Sequence, residues 1–479
     1  MTYVVTQNCC SDASCVVVCP VGCIHPTPDE LGFATAEMLY IDPDTCIDCG
    51  ACADACPVDA IRPDAALTAD DQWYAGANAE YYQSNPPSPE WYRRQPPQIA
   101  RVSADGLRVA IVGSGAAGFY AATALLRHPG VRVDMYEKLS APHGLIRYGV
   151  APDHPATKGV AGQFRWPAGQ QKRFALHLGV EVGGAGISHD TLLDDHHAVI
   201  YATGSAGERR LDIPGEELPG VIGALQFVGW YNGHPDHARL APDLTGRRAV
   251  VIGNGNVALD LARILTADPD ALAGTDIAKP ALMALRCSAI EEVVVLGRRG
   301  AAQAAFTTPE LYALSRVPGL GVVVDPEDVV SGDGPKLALL RELAERPRET
   351  GGKRIVLRFN AAPEEIIGDG AAAGVRLSTG EVVEAGLVLR SIGFGGATFD
   401  TVAGRVSPGV YATGWARRGP TGGIGTNRTC AEETVATLLA DYAAGALNAP
   451  RRPEPAGRRL RLWPVGSHGM KKVDASRSS

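Results

Sequence analysis

The sequence predicts an α/β protein of about three domains, on three observations. Nine of the eleven cysteines (Cys9, Cys10, Cys15, Cys19, Cys23, Cys46, Cys49, Cys52 and Cys56) crowd into the first 56 of 479 residues. Two glycine-rich strand–turn–helix patterns follow, one from Leu107 and one from Arg248. The chain is 45% apolar and 20% charged, and no run approaches the ~18 apolar residues of a membrane-spanning helix. The 56 glycines follow no fibrous period and fit many tight turns.

The formal charge of −8 is as uneven as the cysteines. Residues 1–60 hold nine acids (Asp12, Asp29, Glu30, Glu37, Asp42, Asp44, Asp48, Asp54 and Asp59) and no Lys or Arg, whereas the rest of the chain holds 45 basic and 44 acidic residues. That balance argues against a nucleic-acid module at the N-terminus. Met1-Thr2-Tyr3-Val4-Val5 lacks the basic start and long apolar core of an export signal. A cytoplasmic, reducing compartment is therefore expected, in which dense cysteines point to metal rather than disulfides.

Cys46-Ile-Asp-Cys49-Gly-Ala-Cys52-Ala-Asp-Ala-Cys56-Pro57 is a C-x2-C-x2-C-x3-C-P run. In two-cluster proteins the first three thiolates of such a run hold one iron–sulfur cube and the fourth ligates the other. The first half repeats the spacing as Cys9-x2-Asp12-x2-Cys15-x3-Cys19-Pro20. Crossing the halves assigns Cys46, Cys49, Cys52 and Cys19 to a 4Fe-4S cluster, and Cys9, Cys15 and Cys56 to a second. Asp12 stands where the second set's middle cysteine belongs. A carboxylate is a harder, more labile iron ligand than a thiolate, so that cluster is either an Asp-ligated 4Fe-4S or a 3Fe-4S. Cys10 and Cys23 are left over and read as small buried apolar residues. The doubled, Pro-terminated spacing favours iron–sulfur over zinc. Residues 2–62 resemble a bacterial two-cluster or seven-iron ferredoxin, which implies a small α/β fold for one-electron transfer.

Residues 63–105 form the expected linker. Six prolines (Pro63, Pro86, Pro87, Pro89, Pro96, Pro97) mix with Trp73, Tyr74, Tyr81, Tyr82, Trp91 and Tyr92. Proline at that density predicts no regular helix, while the aromatics predict a segment packed along the next domain that fixes the cysteine-rich module beside it.

From Leu107 an apolar strand runs into Gly113-Ser114-Gly115-Ala116-Ala117-Gly118 and then a helical run to Arg127. Glycines here allow the tight turn and the approach of a pyrophosphate to the helix N-terminus. A second strand ends in Glu137, 19 residues past Gly118, where an acid meets a ribose hydroxyl pair. Gly253-Asn254-Gly255-Asn256-Val257-Ala258 repeats the turn with Ala258 as the accepted variant of the third glycine. Its companion strand, Glu292 to Gly297, ends in Arg298-Arg299 where NAD would call for an acid. Two guanidinium groups can pair with a 2′-phosphate, so this site reads as NADPH-selective. A flavin between NADPH and iron–sulfur centres converts hydride into single electrons.

Several ordered stretches carry a further resemblance. They are Tyr136-Glu137-Lys138, Gly144 to Pro155, Gly253 to Asp260, Arg298-Arg299-Gly300 with Ala305-Phe306-Thr307 and Glu310-Leu311, and Ala412 to Gly422. Residues 107–465 resemble adrenodoxin reductase, and the whole chain resembles the actinobacterial fused ferredoxin/ferredoxin–NADP reductases. The resemblance implies an FAD-binding domain of residues 106–210 and 390–465, interrupted by an NADP-binding domain of 211–389. It implies FAD contacts at Gly113, Gly115, Ala117, Gly118, Glu137, Leu145 and Val182, and near the flavin ring at Trp415, Gly422, Gly423 and Ile424. NADP is implied to meet Gly253, Asn254, Gly255, Asn256, Arg298, Arg299 and Glu310, with Gly422 near the nicotinamide. His154 and Asp260 match polar residues beside the flavin that handle protons and electrons, and a flavin hydroquinone does lose a proton on oxidation.

The resemblance weakens at two places: Val329–Gly409 is shorter than in the relatives, and the chain stops soon after Trp463-Pro464-Val465. Altered surface and partner docking are expected there, not lost cofactor binding. The basic tail (Arg451, Arg452, Arg458, Arg459, Arg461, Lys471, Lys472) is expected to be solvated, and residues 466–479 mobile. The expected activity is that of an NADPH–ferredoxin oxidoreductase, delivering electrons to its own clusters and on to a ferredoxin, a P450 or a similar acceptor. The competing readings are an oxygen- or iron-responsive iron–sulfur flavoprotein, and the NADPH-oxidising module of a glutamate synthase-like system. The latter needs a further domain for which the chain has no room. Nucleic acid and membrane insertion are not expected, and oligomeric state is left open. The acids of the N-terminal module are expected to form its docking face toward the reductase.

Overall fold

The computed structural model describes residues 2–87, 104–170, 172–205, 207–329, 332–347 and 352–452. The expectations for Trp91, Tyr92, the Trp463-Pro464-Val465 stretch and the tail from Arg458 onward concern residues outside these. Arg451 and Arg452 are described, and each meets an acid, Asp194 and Asp195 respectively. Among the described residues no helix is long and apolar enough to cross a membrane.

Two six-stranded sheets form the body. The first runs, in spatial order, Arg405–Ser407, Val410–Ala412, Ala198–Tyr201, Arg108–Val112, Arg132–Glu137 and Phe174–Leu178, parallel except for its edge strand Arg405–Ser407. The second runs Val221–Gly223, Leu387–Arg390, Arg248–Ile252, Glu292–Leu296, Lys353–Arg358 and Leu320–Val324, parallel throughout. Their central strands are unbroken apolar runs buried on both faces, as parallel sheets require. The chain leaves the first sheet after Tyr201 and returns to it at Arg405. The two crossings run side by side where Gly207–Glu208 pairs with Phe394–Gly395. Both glycine turns fall at the carboxyl end of a central strand, the place where open parallel sheets bind ligands.

The cysteine-rich module is built twice over. An offset of 37 residues lays Cys9 on Cys46, Asp12 on Cys49, Cys15 on Cys52 and Cys19 on Cys56. The backbone repeats with the pattern: Ser11 (φ 52°) and Ala13 (φ 58°) answer Asp48 (φ 58°) and Gly50 (φ 73°). Each left-handed residue opens a short helix, Ser14–Val18 or Ala51–Ala55. Each helix stops at a cysteine, Cys19 (φ −73°, ψ 115°) or Cys56 (φ −74°, ψ 117°). The proline that follows denies its predecessor the helical region, so Cys-Pro ends the helix and turns the thiol out of its line. Antiparallel pairs Tyr3–Val5 with Ile61–Pro63 and Ile24–His25 with Tyr40–Ile41 close the module.

The linker departs from its reading. A 13-residue helix, Gln72–Ser84, occupies its middle, because the prolines gather at Pro63 and from Pro86 onward and leave the stretch between them free to coil. On one side Asn78 accepts from the amides of Val5 (3.2 Å) and Ile41 (2.9 Å), and Tyr82 donates toward the carbonyls of Cys23 and Tyr40. On the other, Trp73 stacks on Tyr312 at 4.5 Å and the Tyr312 hydroxyl donates to the Asp70 carbonyl (2.8 Å). The aromatics therefore do clamp the module, but onto the second sheet's unit rather than the first.

Candidate functional site

At the first glycine turn, a Cβ on Gly113 (φ 104°) would sit 2.4 Å from the Ala202 carbonyl oxygen, and one on Gly118 would sit 2.1 Å from that of Gly113. These two glycines serve strand–helix contact. A Cβ on Gly115 would meet nothing within 4 Å, so that face of the turn is open to a ligand. Glu137 bridges strand and turn, accepting from the Ser114 amide (3.0 Å) and hydroxyl (2.7 Å) and from the Leu139 amide (2.9 Å). The short helix Gly144–Tyr148, which carries Leu145, lies over the turn, with Gly144 against Gly115. Gly414 approaches Ala117, which brings Trp415 to the same rim. The Trp415 indole donates to the carbonyls of Thr421 (3.1 Å) and Gly422 (3.3 Å), fixing the turn that opens the long helix Ile424–Ala443 after Gly423. Val182 packs with Val112 and Tyr136, at the carboxyl ends of the two strands that lead into Gly113 and Glu137.

The second turn repeats the design. Gly253 (φ 109°) backs onto the Ser391 carbonyl, Ala258 is fully buried at the third glycine's place, and a Cβ on Gly255 would face open space. Asn256 accepts from the Thr307 amide (2.8 Å), and the Asn254 carbonyl accepts from Phe306 (2.8 Å), so the Ala305–Thr307 stretch braces the turn. Arg298 and Arg299 are exposed at the end of the neighbouring strand, and neither pairs with a carboxylate among the described residues. Both open turns fit a dinucleotide pyrophosphate, and the unpaired guanidinium groups fit an added phosphate.

Between the two units lies an ionic knot around Arg263, a residue the sequence reading passed over. Its Nε donates to Asp153 Oδ2 (2.6 Å), its Nη1 to Glu310 Oε1 (2.8 Å), and its Nη2 to Asp260 Oδ1 (2.6 Å), to Asp153 Oδ1 (3.1 Å) and to His154 Nε2. His154, Asp260 and Glu310 thus converge as implied, with His154 Nε2 at 3.6 Å from each acid. To accept from Arg263, Nε2 must keep its lone pair, which leaves the ring proton on Nδ1. Burial pushes the Asp260 carboxyl up to about 6 against the pull of Arg263. Burial also opposes ionisation of Asp153, but the Arg263 hydrogen bonds win and hold it below the usual carboxylate range. Only the i,i+3 spacing of Asp260 and Arg263 hinted at this in the sequence. Asp153 and His154 come from another domain.

Cys19, Cys46, Cys49 and Cys52 line one small cavity of about 10 Å³ together with Tyr3, Ile41 and Gly50. Cys23 is buried in the module's core, as expected, and its sulfur also borders this cavity, 3.5 Å from that of Cys19. Contact with the Cys23 thiol and nearby amides draws the Cys19 thiol down to about 5. In the other half, burial pushes the Cys9, Cys15 and Cys56 thiols up, and the charges of neighbouring thiols and of Asp12 push Cys15 further. Two sets of close thiols with little cationic compensation fit metal clusters, whose iron supplies the missing positive charge.

The first cysteine loop is pressed against the unit of the first sheet. The Gly425 amide donates to the Cys10 carbonyl (3.1 Å), and a Cβ on Gly425 would lie 1.7 Å from the Ser11 carbonyl oxygen. Arg428 donates to the Asp12 carbonyl (3.0 Å) and the Ser14 hydroxyl (2.8 Å). Elsewhere Glu37 accepts from the Thr308 amide (2.9 Å), at the start of the helix that carries Glu310. The expectation that the acids form this face needs correction. Of the nine, Asp12 and Glu37 meet cations outside the module, Arg428 and Lys336, whereas Asp44, Asp48 and Asp54 are exposed and unpaired among the described residues. The docked loop is held by the Gly425 amide and by Arg428, while Asp44, Asp48 and Asp54 stand near the other cysteine loop, with exposed Cys49 and Ile47.

A family model described as Pyridine nucleotide-disulphide oxidoreductase matches residues 107–302, and one described as 4Fe-4S binding domain matches residues 39–62. The chain is 46% identical over 525 residues to a "Probable ferredoxin/ferredoxin--NADP reductase" of Mycobacterium tuberculosis, spanning 99% of this chain and 91% of that protein. It is 41% identical over 431 residues to "NADPH:adrenodoxin oxidoreductase, mitochondrial" of Bos taurus, spanning 78% of this chain and 87% of that one. The solved structure of Mycobacterium tuberculosis FprA in complex with NADPH matches with a TM-score of 0.67 and 42% identity, over 72% of this chain and 87% of its own. With a thiol-rich module in front of two nested dinucleotide units, and near-full-length identity of this kind, the chain belongs to the ferredoxin/ferredoxin–NADP reductase family.

Proposed function

We propose that the protein takes hydride from NADPH onto FAD and passes single electrons through two iron–sulfur clusters to a ferredoxin, P450 or similar acceptor in the cytoplasm. FAD, when bound, accepts two electrons at once and releases them singly. The observation that carries this reading is the Gly425–Cys10 contact, which sets the Cys9–Cys15 loop at the head of the helix following the Trp415–Gly422 rim. In this reading Gly113, Gly115, Ala117, Gly118, Glu137, Leu145, Val182, Trp415, Gly422, Gly423 and Ile424 hold FAD. Gly253 to Asn256, Arg298, Arg299 and Glu310 hold NADP. His154 and Asp260 handle the proton that leaves the reduced flavin.

The two cysteine loops then take different places. Cys9, Cys15 and Cys56 hold the cluster nearer the flavin. Cys19, Cys46, Cys49 and Cys52 hold the outer one, where exposed Cys49, Ile47, Asp48 and Asp54 face a partner. The test is anaerobic titration of the purified protein. NADPH should bleach the flavin and then reduce cluster absorption and spin signals. Flavin bleaching with clusters that neither NADPH nor dithionite ever reduces would overturn the relay.

A further inference from the structure

The 37-residue repeat makes Asp12 the counterpart of Cys49, with matching left-handed residues on either side. The backbone therefore offers the Asp12 side chain the place that a cysteine takes in the other loop. Yet the two side chains meet opposite surroundings. Cys49 is exposed and lines the thiol cavity. Asp12 is 6% exposed and already engaged. Its Oδ1 accepts from the Ser14 amide (3.2 Å), and its Oδ2 accepts from the Ser14 hydroxyl (2.5 Å) and lies 3.7 Å from the Arg428 guanidinium.

Arg428 is the unusual member, because it comes from the reductase, 416 residues along the chain. The same guanidinium nitrogen donates to the Ser14 hydroxyl and to the Asp12 carbonyl, tying loop and carboxylate together. The Gly425–Cys10 bond, one turn earlier on the same helix, keeps the loop in reach. For Asp12 to ligate iron, its carboxylate must give up the Ser14 hydrogen bonds and the ion pair with the largely buried Arg428, which would then keep Glu432 as its acidic partner. A carboxylate is also the weakest iron ligand among those present.

We propose that Arg428, acting through Ser14, withholds Asp12 from iron, so that the reductase domain keeps the inner cluster in its three-iron form. The proposal rests on the functional reading above, in which Cys9, Cys15 and Cys56 are ligands. The step it blocks is balanced: a 3Fe-4S cluster reduced by one electron to the neutral state takes up one ferrous ion and becomes 4Fe-4S with charge +2. The fourth ligand would be the Asp12 carboxylate. Asp12 alone does not decide between the two cluster types in this account; its partner on the other domain does.

The test uses the full chain, purified anaerobically, reduced with dithionite, exposed to ferrous ion, desalted and reoxidised. The readouts are the three-iron spin signal and the iron-to-sulfide ratio. Wild type and Arg428→Lys should keep the signal. Arg428→Gln and Ser14→Ala should lose most of it, by about fivefold or more, as the ratio rises toward one. Asp12→Cys, which needs no release, should lose it in either background, and the double variant Asp12→Asn/Arg428→Gln should keep it. The proposal is overturned if wild type converts as readily as Arg428→Gln, or if Arg428→Gln stays three-iron while Asp12→Cys converts. Flavin content and NADPH bleaching report that each variant is folded. Sulfide sufficient for only one cluster would overturn the two-cluster reading itself, whereas clusters that dithionite reduces but NADPH does not would sink only the relay.

Discussion

Two of the molecule's internal seams are built of different materials. Where the FAD and NADP units face each other, four titratable side chains, Asp153, His154, Asp260 and Glu310, meet around the Arg263 guanidinium. Where the cysteine module meets the flavin unit, a glycine amide bonds a carbonyl and there is no room for a single methyl group. The contrast matches what each seam has to pass. A hydride and a proton need titratable groups held at set distances, and a buried acid beside an arginine can change its charge state in the working range. A lone electron needs closeness and a fixed geometry, which the main-chain contact at Gly425 and the Arg428–Asp12 ion pair beside it hold together.

Substitutions can break each seam separately. The largest effect is expected from Arg263→Leu, which leaves three acids and His154 around an empty centre. Loss of one member of a buried ionic set costs about 3–5 kcal/mol, and thermal unfolding should show it, with NADPH-driven flavin bleaching lost alongside. Arg263→Lys should recover part of the stability. Next comes Gly425→Ala. Overpacking costs about 1–3 kcal/mol, enough to cut the docked population up to about a hundredfold. Stopped-flow should find flavin reduction by NADPH little changed and cluster reduction slowed. If both steps slow together, the seams are not independent.

On the nucleotide side, Arg298→Ala/Arg299→Ala should raise KM for NADPH by about tenfold or more, since hydrogen bonds between charged groups contribute about 1.5–3 kcal/mol. KM for NADH should barely move; equal changes would refute a 2′-phosphate role. The smallest expected effect belongs to Asp260. Its folded pKa, about 6, lies above the ordinary carboxylate value. The folded state therefore binds this proton more tightly, and the stability it contributes is present at low pH and lost as pH rises through about 6. Against Asp260→Asn, wild type should lose a few degrees of Tm between about pH 4 and pH 6. Parallel Tm profiles for the two proteins would show that folding leaves the Asp260 pKa unshifted.

Much of this was legible along the chain. The C-x2-C-x2-C-x3-C-P run, the two glycine turns and Arg298-Arg299 are local patterns, because phosphate and cluster binding need ligands at short, fixed spacings. The linker helix was misread, since six prolines were averaged over a stretch whose centre, Gln72–Ser84, contains none. The acids were also misassigned: their number was plain, but composition does not say which side of a small domain is covered. Arg263, Arg428 and Gly425 were invisible as functional positions, because each depends on partners brought from another domain: Asp153 and His154 for Arg263, the Cys10–Ser14 loop for the other two.

Taken alone, the sequence determined which residue types stand at which spacings: which thiols repeat, where the two glycine turns fall, and that two arginines end the second turn's companion strand. Tertiary structure alone decided which of those groups stand together and which are already engaged. It set Asp12 beside Arg428 while leaving Cys49 at the surface, though the two occupy the same place in a repeated loop. The physical reason is that ligand type is a property of a residue, whereas its availability depends on the charges and hydrogen bonds competing for it, and here those competitors lie some 400 residues away.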